Sequence, residues 1–120
     1  MSSASFEDLE VWKRGCRQAL EIYAVLKSTK DFGLKNQMER AAVSVPSNIA
    51  EGAERDSPKE FIRFLNIAKG SNAELRTQIY LATKLGIIVD PNALIQEARE
   101  ISAMFQGLIG SLRKKLKTDS

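Results

Sequence analysis

The sequence predicts an all-α, up-down-up-down antiparallel four-helix bundle, one domain over residues 1–120. Three observations predict it. Apolar residues recur at helical spacing in four long segments, and no run alternates with the period of a strand. Capping residues, prolines and glycines bracket those segments as helix starts and stops. The gaps between them are short, so successive helices run antiparallel, and no repeat, low-complexity segment or domain linker intervenes. The helices are expected at about 6–29, 34–54, 58–86 and 91–117.

The first helix starts near Ser5 or Phe6, with Glu7, Asp8 and Glu10 crowding its first turn, where negative charge is favoured. Its apolar stripe reads Leu9, Trp12, Cys16, Ala19, Leu20, Tyr23 and Leu26. Lys27 and Lys30 close it, and Asp31-Phe32-Gly33 forms the turn.

The second helix buries Leu34, Met38, Ala41, Ala42, Val45, Ile49 and Ala53, yet holds Pro46 at its middle. A mid-helix proline has no N–H for the carbonyl four residues back and its ring crowds it, so a kink or break is predicted there. Ser44, Ser47 and Asn48 stand ready to satisfy the freed backbone groups. A second stripe, Gln37, Arg40, Ser44, Ser47 or Asn48, and Glu51, is polar and mostly short. It reads either as a solvated face or as a hydrogen-bonding contact with another helix or subunit.

The third helix opens on Ser57-Pro58-Lys59-Glu60. Ser57 suits the cap, Pro58 the first helical position, and Glu60 the return leg of a capping box. Its stripe is Phe61, Phe64, Leu65, Ala68, Asn72, Leu75, Ile79, Ala82 and Leu85, and Gly86 ends it. Gly70 and Ser71 interrupt it with small residues, which suggests a close helix approach. The fourth helix begins at Asp90-Pro91 and carries Leu94, Ala98, Ile101, Phe105, Leu108, Leu112 and Leu116 in nearly heptad spacing. Ala103, Gly107, Gly110 and Ser111 form a small-residue face beside it. Two glycines weaken a helix, so this face reads as a contact surface for a neighbouring helix, with a thin, solvated face as the alternative.

Composition narrows the chemistry. Histidine is absent, which removes the commonest general base and metal ligand. The single cysteine, Cys16, excludes an internal disulfide framework and lies on the apolar stripe as a small hydrophobe. Zinc ligands are too few, and no phosphate loop or dinucleotide fingerprint is present. No cofactor, metal or catalytic residue is expected, and the chain reads as no enzyme. Arg40, Asn48, Glu51 and Glu74 form a structural network between helices rather than a catalytic set. No apolar run reaches the length of a membrane span, and Met-Ser-Ser-Ala-Ser-Phe is no secretory signal, so a cytoplasmic location follows.

Net charge is +3. Residues 1–112 carry 14 basic and 14 acidic side chains; the excess comes from Arg113, Lys114, Lys115 and Lys117, less Asp119. A basic tail meets phosphate by charge, and cations at a helix C-terminus also favour the macrodipole.

The segments Asp8-Leu-Glu-Val-Trp12, Arg40-Ala-Ala-Val-Ser-Val-Pro-Ser-Asn-Ile-Ala-Glu-Gly52, Ser57-Pro-Lys-Glu-Phe-Ile-Arg-Phe-Leu65 and Gly70-Ser-Asn-Ala-Glu-Leu75 carry a resemblance. Across about residues 6 to 88 the chain resembles the four-helix-bundle proteins encoded within intervening sequences of bacterial large-subunit (23S) ribosomal RNA genes. The resemblance implies a ring-like homo-oligomer, a pentamer. It extends in fold to the accessory variability determinant of diversity-generating retroelements, a basic pentameric barrel that works with nucleic acid. From the genomic setting it implies contact with RNA.

The leading expectation is a non-catalytic, self-assembling accessory factor for structured RNA or DNA. It would bind through Lys13, Arg14 and Arg17 on the polar side of the first helix and through Arg113, Lys114, Lys115 and Lys117. Trp12 and Tyr23 both fall on the apolar stripe, so recognition would use shape and phosphate rather than stacked bases. The alternative is a protein-interaction scaffold with no nucleic-acid role, recruiting an unknown protein through the Ser44/Asn48/Glu51 face or the Gly107/Gly110 face. Arg40, Ser44, Pro46, Asn48, Glu51, Glu74, Gly107 and Gly110 are the structural or interface residues in either case.

Overall fold

The computed structural model describes residues 5–119. A 3-10 turn at Phe6–Asp8 leads into α1 (Glu10–Val25), α2 (Phe32–Ala53), α3 (Pro58–Lys84) and α4 (Asn92–Asp119). α1 and α3 each pack on α2 and α4, while the diagonal pair α1 and α3 meets through side chains only. That is the square section of an antiparallel bundle, and it measures 51 × 24 × 21 Å. Residues 1–4, read above as lacking a secretory signal, lie outside the described residues.

The ends of the helices follow local chemistry. Ser5 caps the 3-10 turn: its hydroxyl accepts from the Glu7 N–H at 3.2 Å, and Asp8 accepts from the Ser5 N–H at 3.2 Å. Asp31 belongs to α2 rather than to a free turn, because its carboxylate accepts from the Leu34 N–H at 3.2 Å and so caps the helix. Ser57 caps α3 by accepting from the Glu60 N–H at 3.3 Å. The capping box is not closed, because the Glu60 carboxylate pairs instead with Arg63 at 3.1 Å. Gly86, at φ 78°, terminates α3. The Gly86 N–H donates to Thr83 and the Ile87 N–H to Ala82, the paired bonds that close a helix with a left-handed residue. Pro91 stands just before α4, and its carbonyl accepts from the Ile95 N–H at 2.9 Å.

Two apolar clusters fill the bundle. One joins Ile22, Leu26, Met38, Leu75, Ile79 and Leu94 at one end. The other joins Val11, Val45, Ile49, Leu65, Ile101 and Phe105 at the opposite end. A buried polar layer separates them. Asn72 donates to the Ala98 carbonyl at 2.7 Å and accepts from Gln18 Nε2 at 3.3 Å. Gln18 Oε1 is buried with no partner among the described residues.

Several stripes differ from the sequence expectation. α1 is turned so that Val11, Gly15, Gln18 and Ile22 face inward, while Leu20 is 72% and Tyr23 46% exposed. The cause is Gly15. A side chain there would stand 3.3 Å from Val45 and 3.5 Å from the Pro46 ring, so α1 and α2 lie close along this line. Pro46 is buried against it, and α2 continues through Pro46 without the break that a mid-helix proline threatens. Leu85 is exposed and Ile88 buried in its place, because the Gly86 turn folds the chain back. Ile109 enters the core, while Leu108, Leu112 and Leu116 are half-buried. Gly70, Gly107 and Gly110 have nothing within 4 Å of where a side chain would begin, so none marks a close approach within the chain.

The close approach occurs at Gly52. A Cβ there would lie 2.5 Å from the Phe64 Cβ, a distance real carbon atoms do not adopt, and α2 and α3 would have to part. Gly52→Ala is therefore expected to cost about 1–3 kcal/mol through overpacking. Gly70→Ala, facing open space, should gain up to about 1 kcal/mol of helix propensity. Thermal melts followed by circular dichroism should show shifts of opposite sign. The polar layer makes a second prediction. Asn72→Ala strands the Gln18 amide and should cost about 1–3 kcal/mol. The pair Gln18→Met with Asn72→Leu removes both polar groups at similar shape and should cost less than Asn72→Ala alone in urea titrations.

Candidate functional site

The polar stripe of α2 and the Ser71–Glu74 segment of α3 face each other along the outer groove between these helices. There they line a cleft of about 220 Å³ formed by Gln37, Arg40, Ala41, Ser44, Ser71 and Glu74. The two serine hydroxyls bond across it at 2.9 Å. Asn48, one turn along, donates through Nδ2 to both the Ser44 carbonyl and the Ser44 hydroxyl at 2.9 Å. The bonded network expected between helices therefore exists, but it runs through Ser44, Asn48 and Ser71. Arg40 and Glu74 make no hydrogen bond or ion pair among the described residues. Glu51 lies outside the cleft and helps to hold the Arg63 guanidinium charged, after the larger effect of Glu60.

This geometry does not activate a nucleophile. An amide N–H donating to the Ser44 oxygen draws on its lone pair, and among the described residues the hydroxyl bonds only Ser71 and Asn48, neither of them a base. Cys16 is half-buried, and burial pushes its thiol pKa up, away from the reactive thiolate. Among the described residues no three metal-ligating side chains converge. No helix there is long and apolar enough to cross a membrane.

The cations expected on nucleic acid separate into two groups. Lys13 and Arg17 are exposed on the outward side of α1. Arg113, Lys114, Lys115 and Lys117 are exposed on the last turns of α4, and Lys117 is engaged within the chain. Because Val11 and Trp12 share a cluster with Leu108 and Leu112, Lys13 and the α4 cations sit toward the same end of the bundle.

Arg14 departs from that set. Its Nε and Nη2 grip the Glu97 carboxylate, with Nε at 2.9 Å, and Nη2 also reaches Glu100 at 2.6 Å. Its Nη1 lies 3.7 Å from the Met104 sulfur. The bidentate bond to Glu97 and the bond to Glu100 raise the guanidinium's pKa further. The Arg14 guanidinium, and after it the Gln96 amide, hold the Glu100 carboxyl below its ordinary range. Arg14 thus ties α1 to α4 and is no surface cation. A reading of one helix at a time could not have found this, since its partners lie more than 80 residues away. Gln18 was missed for a related reason, as a glutamine breaks an apolar stripe. Gln37 and Ser71 were visible as a polar stripe and a small-residue gap, but their meeting depends on helix pairing.

A search of curated proteins finds no match. Among solved structures the fold is similar to a protein of unknown function from the S23 ribosomal protein family of Bacteroides thetaiotaomicron VPI-5482. The two share 25% sequence identity with a TM-score of 0.77, over 82% of this chain and 97% of that one. The family model described as 23S rRNA-intervening sequence protein matches residues 7–107. That match runs from the 3-10 turn through the Arg40–Gly52 segment and past the middle of α4, and on this span the chain belongs to the family of 23S rRNA-intervening sequence proteins.

Proposed function

We propose that the chain is a non-catalytic, self-assembling accessory factor that binds structured RNA in the cytoplasm, working as a homopentameric ring. The observation that carries this reading is the group of cations at one end of the bundle. Lys13, Arg113, Lys114 and Lys115 are exposed there, Arg17 is exposed further along α1, and no carboxylate is paired with any of them among the described residues. Cations held near their own carboxylates contribute little to phosphate binding; unpaired ones displace the counterions of a nucleic acid. The family description, with its link to 23S rRNA genes, supports the same partner. A ring repeats the patch five times, and linked weak sites gain avidity without new contacts. Trp12 is half-buried against Phe6, with ring centroids at 5.4 Å, so it offers no free stacking platform.

The scaffold reading rests on the α2–α3 cleft. Arg40 and Glu74 stand there without partners among the described residues, a cation and an anion that a protein surface could complement. It predicts a co-purifying polypeptide and no nucleic-acid absorbance.

Fluorescence anisotropy of a labelled structured RNA, titrated across salt, tests the proposal. Replacing Arg113, Lys114, Lys115 and Lys117 by Ser should weaken binding about tenfold or more and flatten the log–log salt slope by about three. An unchanged affinity and slope would remove these residues from the interface. No binding even at low salt would leave the scaffold reading. Light scattering on the same sample should give the mass of five chains, and a strict monomer would end the assembly claim.

A further inference from the structure

The charge of this chain is sorted by face, which a count along the sequence conceals. Between Pro58 and Thr118, ten Lys and Arg stand against four Glu and Asp90, which lies in the turn between α3 and α4. The fold carries all four glutamates away from the outer groove between α3 and α4. Glu60 is held by Arg63, whose other near carboxylate is Glu51 of α2. Glu74 lines the cleft toward α2. Glu97 and Glu100 turn to α1 and grip Arg14. The α3–α4 groove keeps cations: Lys69 and Arg76 on α3, with Arg99 and Arg113 on α4. None of the four is ion-paired among the described residues.

Contacts between the two helices place this row. Asn72 bonds the Ala98 carbonyl across the interface. Arg99, the next residue, reaches the Tyr80 hydroxyl with Nη2 at 3.5 Å. Lys69 and Arg76, seven residues apart and hence on one side of α3, are half-buried along their stems and flank Asn72. Lys59 and Lys84, exposed, stand near the two ends of α3. Neutral donors sit between the charges, with Ser102 half-buried and Gln106 exposed on the α4 side, and Gly110 faces open space.

We propose that the outer groove between α3 and α4 is the surface that follows the phosphate backbone of duplex RNA. This rests on the nucleic-acid reading above and names its principal site, which the expected α1 and tail residues do not include apart from Arg113. A row of cations with no glutamate among them, and with hydroxyl and amide groups between, suits phosphate and sugar oxygens. A membrane surface needs a band of apolar side chains beside the cations; here the exposed Tyr80 turns its hydroxyl to Arg99, and the exposed Leu85 and Val89 lie at the α3–α4 turn.

The test uses the full chain and a labelled RNA hairpin with a stem of about 20 base pairs, titrated from about 50 to about 200 mM salt. Lys69→Gln/Arg76→Gln/Arg99→Gln should weaken binding at least tenfold and lower the log–log salt slope by about three. Lys27→Gln/Lys30→Gln/Lys35→Gln removes the same charge from the α1–α2 hairpin and should stay within about twofold of the parent. Circular dichroism checks the fold. If the triple variant loses it, Arg99→Gln/Arg113→Gln, both exposed, should still lower the slope by about two. If the parent binds RNA and the groove variants bind it equally well, the groove is wrong and the RNA reading stands. Equal loss in the hairpin control would reduce the effect to net charge and also overturn the assignment. A parent that binds no RNA sinks both.

Discussion

The Asn72 side chain is the interaction on which the arrangement of this bundle depends. Apolar contacts between helices are non-directional, and a bundle packed by them alone can slide by a turn at modest cost. Asn72 cannot slide. It is buried between two apolar clusters, donates to the Ala98 carbonyl and accepts from Gln18. A one-turn shift of any of these helices would leave its amide unpaired in the interior, where a lost partner costs about 1–3 kcal/mol. With α3 set against α4 and α1 in this way, Arg14 arrives opposite Glu97 and Glu100. The amide therefore specifies register more than it adds stability, the best-attested use of a buried polar group.

The fold was legible because it depends on local signals. Ser57 before Pro58, Gly86 after Lys84 and the four periodic stripes each act within a turn or two of chain, so one sequence suffices to place the helices within a few residues. The facing of α1 was not legible. Leu20 and Tyr23 look like core residues by period, and Gln18 does not. What decides is that Gly15 lets α1 settle on Pro46 while Arg14 reaches α4, and both partners are distant in sequence. Gly52 shows the same limit from the other side. It stood in a run that looked informative, but only the position of Phe64 explains why a larger residue does not fit. Gly107 and Gly110 drew attention for the right physical reason, helix weakness, yet meet no neighbour within the chain.

The cleft between α2 and α3 was half legible. Arg40, Ser44 and Glu74 were singled out and do converge, but the bonds run through serine and asparagine. Short side chains can bond across a helix pair only where the backbones are near, and α2 and α3 are brought near by Gly52. A long Arg or Glu at the rim reaches past such a gap into solvent. The small residues thus hold the helices together, and the charged ones are left over for something outside the chain.

Electrostatics completes the account, because in a bundle charge is partitioned by which helix pair each face joins. A carboxylate turned toward a neighbouring helix to bind an arginine is removed from every other face. Glu97 and Glu100 do this for Arg14, while Glu60 is occupied by Arg63 of its own helix. Ion pairs of this exposure add little stability on their own, about 0–1 kcal/mol. Their larger consequence is the potential they leave behind. By drawing acids to the α1 and α2 sides they strip the α3–α4 groove of negative charge without adding a single cation to it. A body that is neutral when counted along the chain is then polar across its section, and a polyanion approaching it meets one side far more readily than the other.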